Sequence, residues 1–547
     1  MVVFRSPPGY DGTMDVTQFL GSMPIAGLRG LVPLVVPGFD GMSDGERTSA
    51  LQNILEASDL EARRGPVIDQ LLTECGVGEV VPGAYARFRS LVLDAVRFML
   101  LRLDRRRLIP VLVGQFLLPA DVPTGKRLAE LARALPVLHK LGQMIARNEH
   151  LEPGFRNALR ELEFRPGGYD AVGLVDFAAA ELARAPIGAE ICWNGEILAE
   201  ASVGAVLPFE WVGLGGGPGR RGVAKLVKPE AKSRLDQDLP ALDALATWLD
   251  GRRSLYGDLG IDYIGVLREV RDALAAETDP TCEQRHLREA RAQYVGLHGV
   301  RIPNVFPFST PTLTAMERLE GVPLPEIEAP GPIRRDLAAR TFGAIVLHPL
   351  LSDAATTLIH GDPHAGNLLA IPGRTPGAWE IGLIDWSQAG RLDRRQRAGL
   401  RTLMLGFMLG ERGVVRGALR ALLAAAGPGA ALEAHLRTAV GSRPIGPGAA
   451  FEAALDLIDR LVIDGFRFPR SLLLFRKAWF ALRGVLKQLD PGFDPGICLV
   501  TAMGRRLIGD LPRRLVRGSP LGWMAPADAP YISDADLLRL VLSAPAA

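Results

Sequence analysis

The chain has 547 residues, 48% of them hydrophobic and 23% charged, a globular composition and not a disordered one. At one domain per ~150 residues it has room for three or four folding units. The 63 basic and 61 acidic side chains leave a net charge of +2, which argues against nucleic acid as a partner of the whole chain. The four cysteines (Cys75, Cys192, Cys282 and Cys498) lie far apart with no C-x-x-C pair, so a disulfide framework or zinc module is not expected and a reducing compartment fits. The 61 glycines and 41 prolines are an excess, nearly a fifth of the chain against roughly 12% on average. They mean either low-complexity sequence or many tight loops.

The N-terminal MVVFRSPPGYDG lacks the basic and apolar regions of a signal peptide. The best apolar runs, Leu108–Ala120 and Thr341–Ser352, are too short to span a bilayer and contain proline. The expected location is cytoplasmic, with peripheral membrane contact compatible. Residues 1–120 alternate apolar helical patches with Pro/Gly breaks and read as an accessory helical region without a chemical motif. Residues 125–165 show helical spacing with basic residues between, broken near Pro153. Residues 188–228 read as antiparallel strands around a Gly-rich turn, and 240–300 as helix. Residues 301–325 read as two short strands and a link, 331–360 as helical, 361–391 as loops and strands, and 392–547 as mainly helical. That order predicts an α+β, bilobal, protein-kinase-like fold: a small β-rich N-lobe, a mostly helical C-lobe and an N-terminal helical extension. The expected boundaries are 1–120, 121–180, 181–318, 319–500 and a C-terminal helical tail at 501–547.

The chemistry concentrates in LIHGDPHAGNLL (358–369) and IGLIDWSQAG (381–390). Asp362 and Asn367 share a Gly/Pro/His-rich loop, and Asp385 ends an apolar run that reads as a buried strand. Two carboxylates and an amide on adjoining loops suit phosphoryl transfer. One Asp positions or deprotonates the attacking hydroxyl, while the amide and the other Asp hold magnesium on the nucleotide phosphates. His360 and His364 have the i, i+4 spacing of a zinc pair, but Gly361 and Pro363 break the helix such a pair needs, so His360 reads as structural. A lysine on a strand is also required. Lys225 in GVAKLVKP (222–229) is preferred to Lys228, which abuts Pro229. A carboxylate must fix that lysine. Glu277, Asp279, Glu283 and Glu289 are available, and spacing does not choose among them.

These motifs together resemble the UbiB/AarF-type atypical kinases associated with quinone biosynthesis. LHKLGQMIAR (138–147) is similar to the family's K-x-G-Q signature, LAEASVGAV (198–206) to its Ala-rich nucleotide loop, and VAKLVKP to its lysine strand. ETDPTCEQ (277–284) resembles E-x-D followed by the helix glutamate, and RIPNVFPFSTPTLTAMERLEG (301–321) the strands leading to the hinge. HGDPHAGN and LIDWSQAGRL resemble the catalytic and metal loops, and FRKAWFALRGVLKQLDPGFD (475–494) the late helix. The resemblance spans roughly residues 125–495. It implies ATP and Mg2+ as cofactors, Asp362, Lys225 and Glu283 as catalytic residues, and Asn367 and Asp385 as metal ligands. It also implies nucleotide contacts from Ala199, Ala201, Ser202, Val203, Gly204, Lys225, Glu317, Lys140, Gln143 and Glu277. The K-x-G-Q helices would cover the cleft where a protein substrate docks, with Lys140 pointing toward the nucleotide near Glu277. That favours an ATPase or a kinase of a small lipid or phenolic molecule over a protein kinase.

Three departures from the family pattern stand out. Glu200 and Ala205 replace the usual residues of the Ala-rich loop, the metal motif reads D-W-S in place of D-F-G, and the long apolar C-terminal helices of some relatives are absent. Two alternatives share the motifs: an aminoglycoside/choline-type phosphotransferase, and a nucleotide-binding pseudokinase scaffold.

Overall fold

The computed structural model describes residues 38–502 except 80, 82, 120, 135, 136, 138–170, 185–188, 201, 202, 214–218, 258–261, 374, 376, 425–428 and 442–444, together with Val32 and Val36. Lys140, Gln143, Ala201 and Ser202 lie outside the described residues, as do the K-x-G-Q segment and most of the expected C-terminal tail. The chain divides into two compact units, Met1–Gly168 with Pro229–Ala275, and Tyr169–Lys228 with Ala276–Ala547.

The first unit is helical where described, with helices at Asp44–Ala57, Arg64–Glu74, Arg89–Leu101, Arg105–Leu117 and Thr124–Ala134, joined by Pro229–Asp250 and most of Tyr263–Glu277. Starts are set locally. Ser43 and Glu46 form a capping box, and the Asp104 carboxylate accepts the Arg107 N–H. The buried face gathers Leu51, Ile68, Leu71, Leu100, Leu108 and Leu112 into one core. The two parts of this unit are tied by Phe98 against Trp248, by Tyr256 Oη donating to Asp94 at 2.7 Å, and by an Arg107–Asp238 ion pair.

The second unit is mixed α/β with a helix-rich C-terminal region. Its strands are β1 (Ala189–Trp193), β2 (Ala199–Glu200), β3 (Gly204–Gly213), β4 (Arg220–Val227), β5 (Val300–Arg301), β6 (Leu313–Glu317), β7 (Val322–Pro323), β8 (Thr356–His360), β9 (Leu368–Pro372), β10 (Trp379–Leu383) and β11 (Ala389–Asp393). β1-β3-β4-β6 form an antiparallel sheet with β2 added to β3. Its register sets Lys225 opposite Val206 on one side and Thr314 on the other. Ala205, Leu207, Phe209, Ala224 and Leu226 pack with Phe306, Phe308 and the Ala171–Ala183 helix. The Pro280–Gln293 helix starts at Asp279, whose carboxylate accepts the N–H groups of Thr281 and Cys282. Glu283, His286, Leu287 and Ala290 recur at helical spacing on its buried face.

The remaining strands form a sheet β5-β10-β9-β7 and a pair β8-β11. This corrects the helical reading of 331–360. Helix ends with the His348–Leu351 turn, and Thr356–His360 is a strand paired antiparallel with Ala389–Asp393. The helices Arg394–Leu409, Arg412–Leu422, Gly429–Ala439, Pro447–Ile463 and Arg470–Leu489 follow. Their apolar faces share one core with Phe342, Trp386, Phe451 and Trp479. Among the described residues no helix is long and apolar enough to cross a membrane.

Candidate functional site: a lysine between two carboxylates

β4 carries Lys225 across the sheet face, and the Pro280–Gln293 helix brings Glu283 to it. Lys225 Nζ lies 2.8 Å from Glu283 Oε1 and 3.0 Å from Asp385 Oδ1. The structure thereby chooses among the four candidate acids. Asp279 caps its helix, Glu289 pairs with Arg391, and Glu277 ends its helix with only its backbone described. Among the three whose side chains are described, Glu283 alone has an ion pair to Lys225, and its side chain is 4% exposed.

The three charges set one another's protonation. Burial pushes Glu283 up to about 7, against the opposing pull of Lys225. Burial also works to raise Asp385, but the Lys225 charge and hydrogen bonds from Ser387 outweigh it and hold the carboxyl well below the usual range. For Lys225, burial favours the neutral amine, and the charges of Asp385 and Glu283 overcome it, so the ammonium is retained above its ordinary pKa.

Asp385 sits in the left-handed region with φ 55°, the sole non-glycine residue with positive φ among those described. Ser387 accounts for its stability there. Both the Ser387 hydroxyl (2.6 Å) and its N–H (3.2 Å) donate to Asp385 Oδ1. A glycine at the third position of the motif would supply the second bond and not the first.

Asp362 and Asn367 approach from the β8–β9 loop. Asn367 Nδ2 donates to the Asp362 carbonyl at 3.0 Å, which leaves Oδ1 as the amide's acceptor face. Leu368 and Leu383 are register partners, so Asn367 just before β9 and Asp385 just after β10 emerge at the same end of the sheet. The Ile384 N–H donates to the Asn367 carbonyl at 3.1 Å. His360 joins the loops: Nε2 faces the Ile384 carbonyl at 2.9 Å and Nδ1 accepts the Asp362 N–H at 3.2 Å. Burial lowers its pKa, so it is a neutral structural tie. Trp386 is fully buried against it, with its own carbonyl bonded by His286. Gly361 is required by close approach, because a Cβ there would stand 2.6 Å from the Gln388 carbonyl oxygen.

The donor set fits a hard cation. Asn367 Oδ1 and the second oxygen of Asp385 are two oxygen ligands on adjoining loops, which suits Mg2+, a metal that keeps several waters and takes one or two protein carboxylates. No larger group of His, Cys, Asp and Glu that could hold a metal occurs among the described residues.

Residues 194–417 match the ABC1 atypical kinase-like domain family, and Lys225, Glu283, Asp362, Asn367 and Asp385 all lie inside the match. The chain contains an ABC1 atypical kinase-like domain. Two solved structures are similar at low identity. The Mycobacterium tuberculosis protein Rv3197, solved in complex with erythromycin, is 19% identical over 64% of this chain and 87% of its own, with a TM-score of 0.40. The Rio2 kinase of Chaetomium thermophilum, solved with ADP/Mg2+ and phosphoaspartate, is 14% identical over 64% of this chain and 90% of its own, with a TM-score of 0.24.

The other expected contacts of the ABC1 domain fall as follows. Ala199 is in β2 opposite Val206. The Val203 carbonyl accepts the Lys228 N–H at 2.9 Å, and Gly204 opens β3 so close to β4 that a Cβ would stand 2.7 Å from the Leu226 oxygen. Glu317 ends β6, where its carboxylate takes Arg301 at 2.6 Å and its N–H bonds Asn304.

Two pairings escaped sequence reasoning. Lys228, passed over for Lys225, is 1% exposed and ion-paired at 2.5 Å with Glu200, the residue that departs from the Ala-rich pattern. The two oddities explain each other: a buried cation requires a buried anion. Lys477, on the Arg470–Leu489 helix, brings its Nζ 3.7 Å from Asp362 Oδ1 and 2.6 Å from Gln388 Oε1.

Proposed function

We propose that this protein binds Mg-ATP in the ABC1 domain and moves its terminal phosphoryl group to water or to the hydroxyl of a small lipid or phenolic acceptor, in support of quinone or other isoprenoid-lipid metabolism. The observation that carries this reading is the convergence of Lys225, Glu283 and Asp385 beside the Asp362–Asn367 loop. On this reading 181–318 is the N-lobe and 319–500 the C-lobe of a bilobal kinase-like fold, with the Ala-rich loop over the nucleotide phosphates.

Lys225, fixed by Glu283, would pair with the nucleotide phosphates. Asn367 and Asp385 would hold magnesium, which supplies charge neutralisation of the phosphate oxygens when bound. Asp362 would orient the acceptor hydroxyl and receive its proton. The acceptor oxygen bonds to the terminal phosphorus as the bridging P–O bond breaks, and the electron pair departs with ADP. The work is positional and electrostatic, so losing one charge typically costs a few kcal/mol in the transition state.

The test is turnover of labelled ATP by purified full-length protein with magnesium, with and without detergent micelles or phenolic lipids. Slow hydrolysis stimulated by the lipid, and reduced ~10²-fold or more in Asp362→Ala, is expected. Efficient phosphorylation of choline or an aminoglycoside, or nucleotide binding without turnover under any condition, would overturn it.

A further inference from the structure

The known motifs put one cation, Lys225, beside Asp385. The structure puts a second beside Asp362. Lys477 lies outside the family match at 194–417, on a helix whose sequence resembles the family's late helix. Most of that helix does pack: Leu472, Phe475, Ala478, Trp479 and Leu482 are buried at helical spacing. Lys477 is on a different side. Its ammonium reaches the Asp362 carboxylate at 3.7 Å, and Gln388 Oε1 takes it at 2.6 Å. Gln388 is itself fixed, because its carbonyl accepts the Gly361 N–H at 2.8 Å. The lysine is therefore held by Gln388, on the loop after the metal motif, and by Asp362, the neighbour of the Gly361 that Gln388 contacts.

Charge and position then define what this ammonium meets. In the site as read above, the acceptor oxygen lies at Asp362 and the leaving diphosphate at Lys225 and Asp385. The group passing between them is the terminal phosphoryl, and Lys477 stands at the end where it arrives. The site also brings three carboxylates, Asp362, Asp385 and Glu283, against the two ammonium groups. A nucleoside triphosphate adds negative charge; magnesium at Asn367 and Asp385 would offset part of it, and a cation at the Asp362 end favours the rest.

We propose that Lys477 binds the terminal phosphoryl group of the bound nucleotide and keeps it against Asp362. This rests on the reading of the site as an ATP site. It assigns the Arg470–Leu489 helix a direct part in nucleotide recognition. It also predicts discrimination: a triphosphate should feel Lys477 and a diphosphate should not.

The experiment measures dissociation constants of the full chain, with magnesium, for adenylyl imidodiphosphate (a triphosphate analogue that is not cleaved) and for ADP. Wild type, Lys477→Met and Lys477→Arg are compared. Lys477→Met should weaken the triphosphate analogue by about tenfold or more, the size of one charge-assisted hydrogen bond, and leave ADP unchanged. Lys477→Arg should recover most of the loss. Unchanged ADP binding also shows that the variant is folded. Equal weakening of both nucleotides, or of neither, overturns the proposal and leaves the ATP reading standing. A wild-type protein that binds neither nucleotide overturns the ATP reading and the proposal with it.

Discussion

Lys228 and Glu200 allow a sharp energetic test. Their side chains are 1% and 8% exposed, and Nζ and Oε1 are 2.5 Å apart. An exposed pair of this kind is worth about 0–1 kcal/mol. A desolvated pair behaves differently. Breaking such a pair by removing one partner costs about 3–5 kcal/mol, whereas replacing both with apolar side chains of similar volume is often neutral or stabilising. Lys228→Met keeps the length of the stem and removes only the charge, and Glu200→Leu does the same for the acid. Each single substitution should therefore cost about 3–5 kcal/mol, a large part of the 5–15 kcal/mol that holds a typical domain. The double variant should lie well above either single one. Urea unfolding of the four proteins, followed by tryptophan fluorescence, reads the cycle. Single variants that lose less than about 1 kcal/mol, or a double variant that loses the sum of the two, would refute the claim that this pair is desolvated.

Other consequences can be checked together. Glu283 has a folded pKa of about 7, above its ordinary 4.5, so the fold favours the protonated acid. The stability it contributes is complete below about 4.5 and is lost as pH rises through about 7. Glu283→Gln, which mimics the protonated acid, should thus gain thermal stability relative to wild type between pH 5 and pH 8. A constant difference in melting temperature across that window would count against it. Asp385 and Lys225 shift the other way from this window, in acid and in alkali respectively, and do not mask it. Gly361→Ala should cost about 1–3 kcal/mol, because the new Cβ meets a carbonyl oxygen that cannot step aside. Melting curves read this, and an unchanged midpoint would show that the loop relaxes. Ser387→Gly removes the shorter of two bonds to Asp385 and should raise the magnesium concentration needed for nucleotide binding about tenfold. An unaltered requirement would mean that the N–H bond alone aims the carboxylate.

The sequence was most informative where function compresses residues into a short span. H-G-D-x4-N and the following apolar-D-W put Asp362, Asn367 and Asp385 within two dozen residues, and the β9–β10 register places Asn367 and Asp385 at one end of a sheet. Lys225 was legible from the strand around it. Glu283 was not distinguishable from its acidic neighbours by spacing. Burial decided it, and burial is a property of the packed helix. Thr356–His360 was misread as helix because it is a short, largely buried strand whose partner, Ala389–Asp393, lies far along the chain. Lys228 looked like a strand-end lysine, and nothing in its local sequence singles out Lys477. Each acquires its meaning from a residue that only folding brings near, Glu200 in one case and Asp362 with Gln388 in the other. The glycine excess has the same explanation in part. Gly204 and Gly361 stand where backbones approach too closely for any side chain.

The most direct measurement is equilibrium binding of ATP to the purified protein by calorimetry, with and without magnesium, in wild type and Asp385→Asn. Binding should require magnesium in the wild type and lose that dependence, with most of the affinity, in the variant. Magnesium-dependent binding of equal strength in both proteins would contradict it, as would a wild type that binds no ATP.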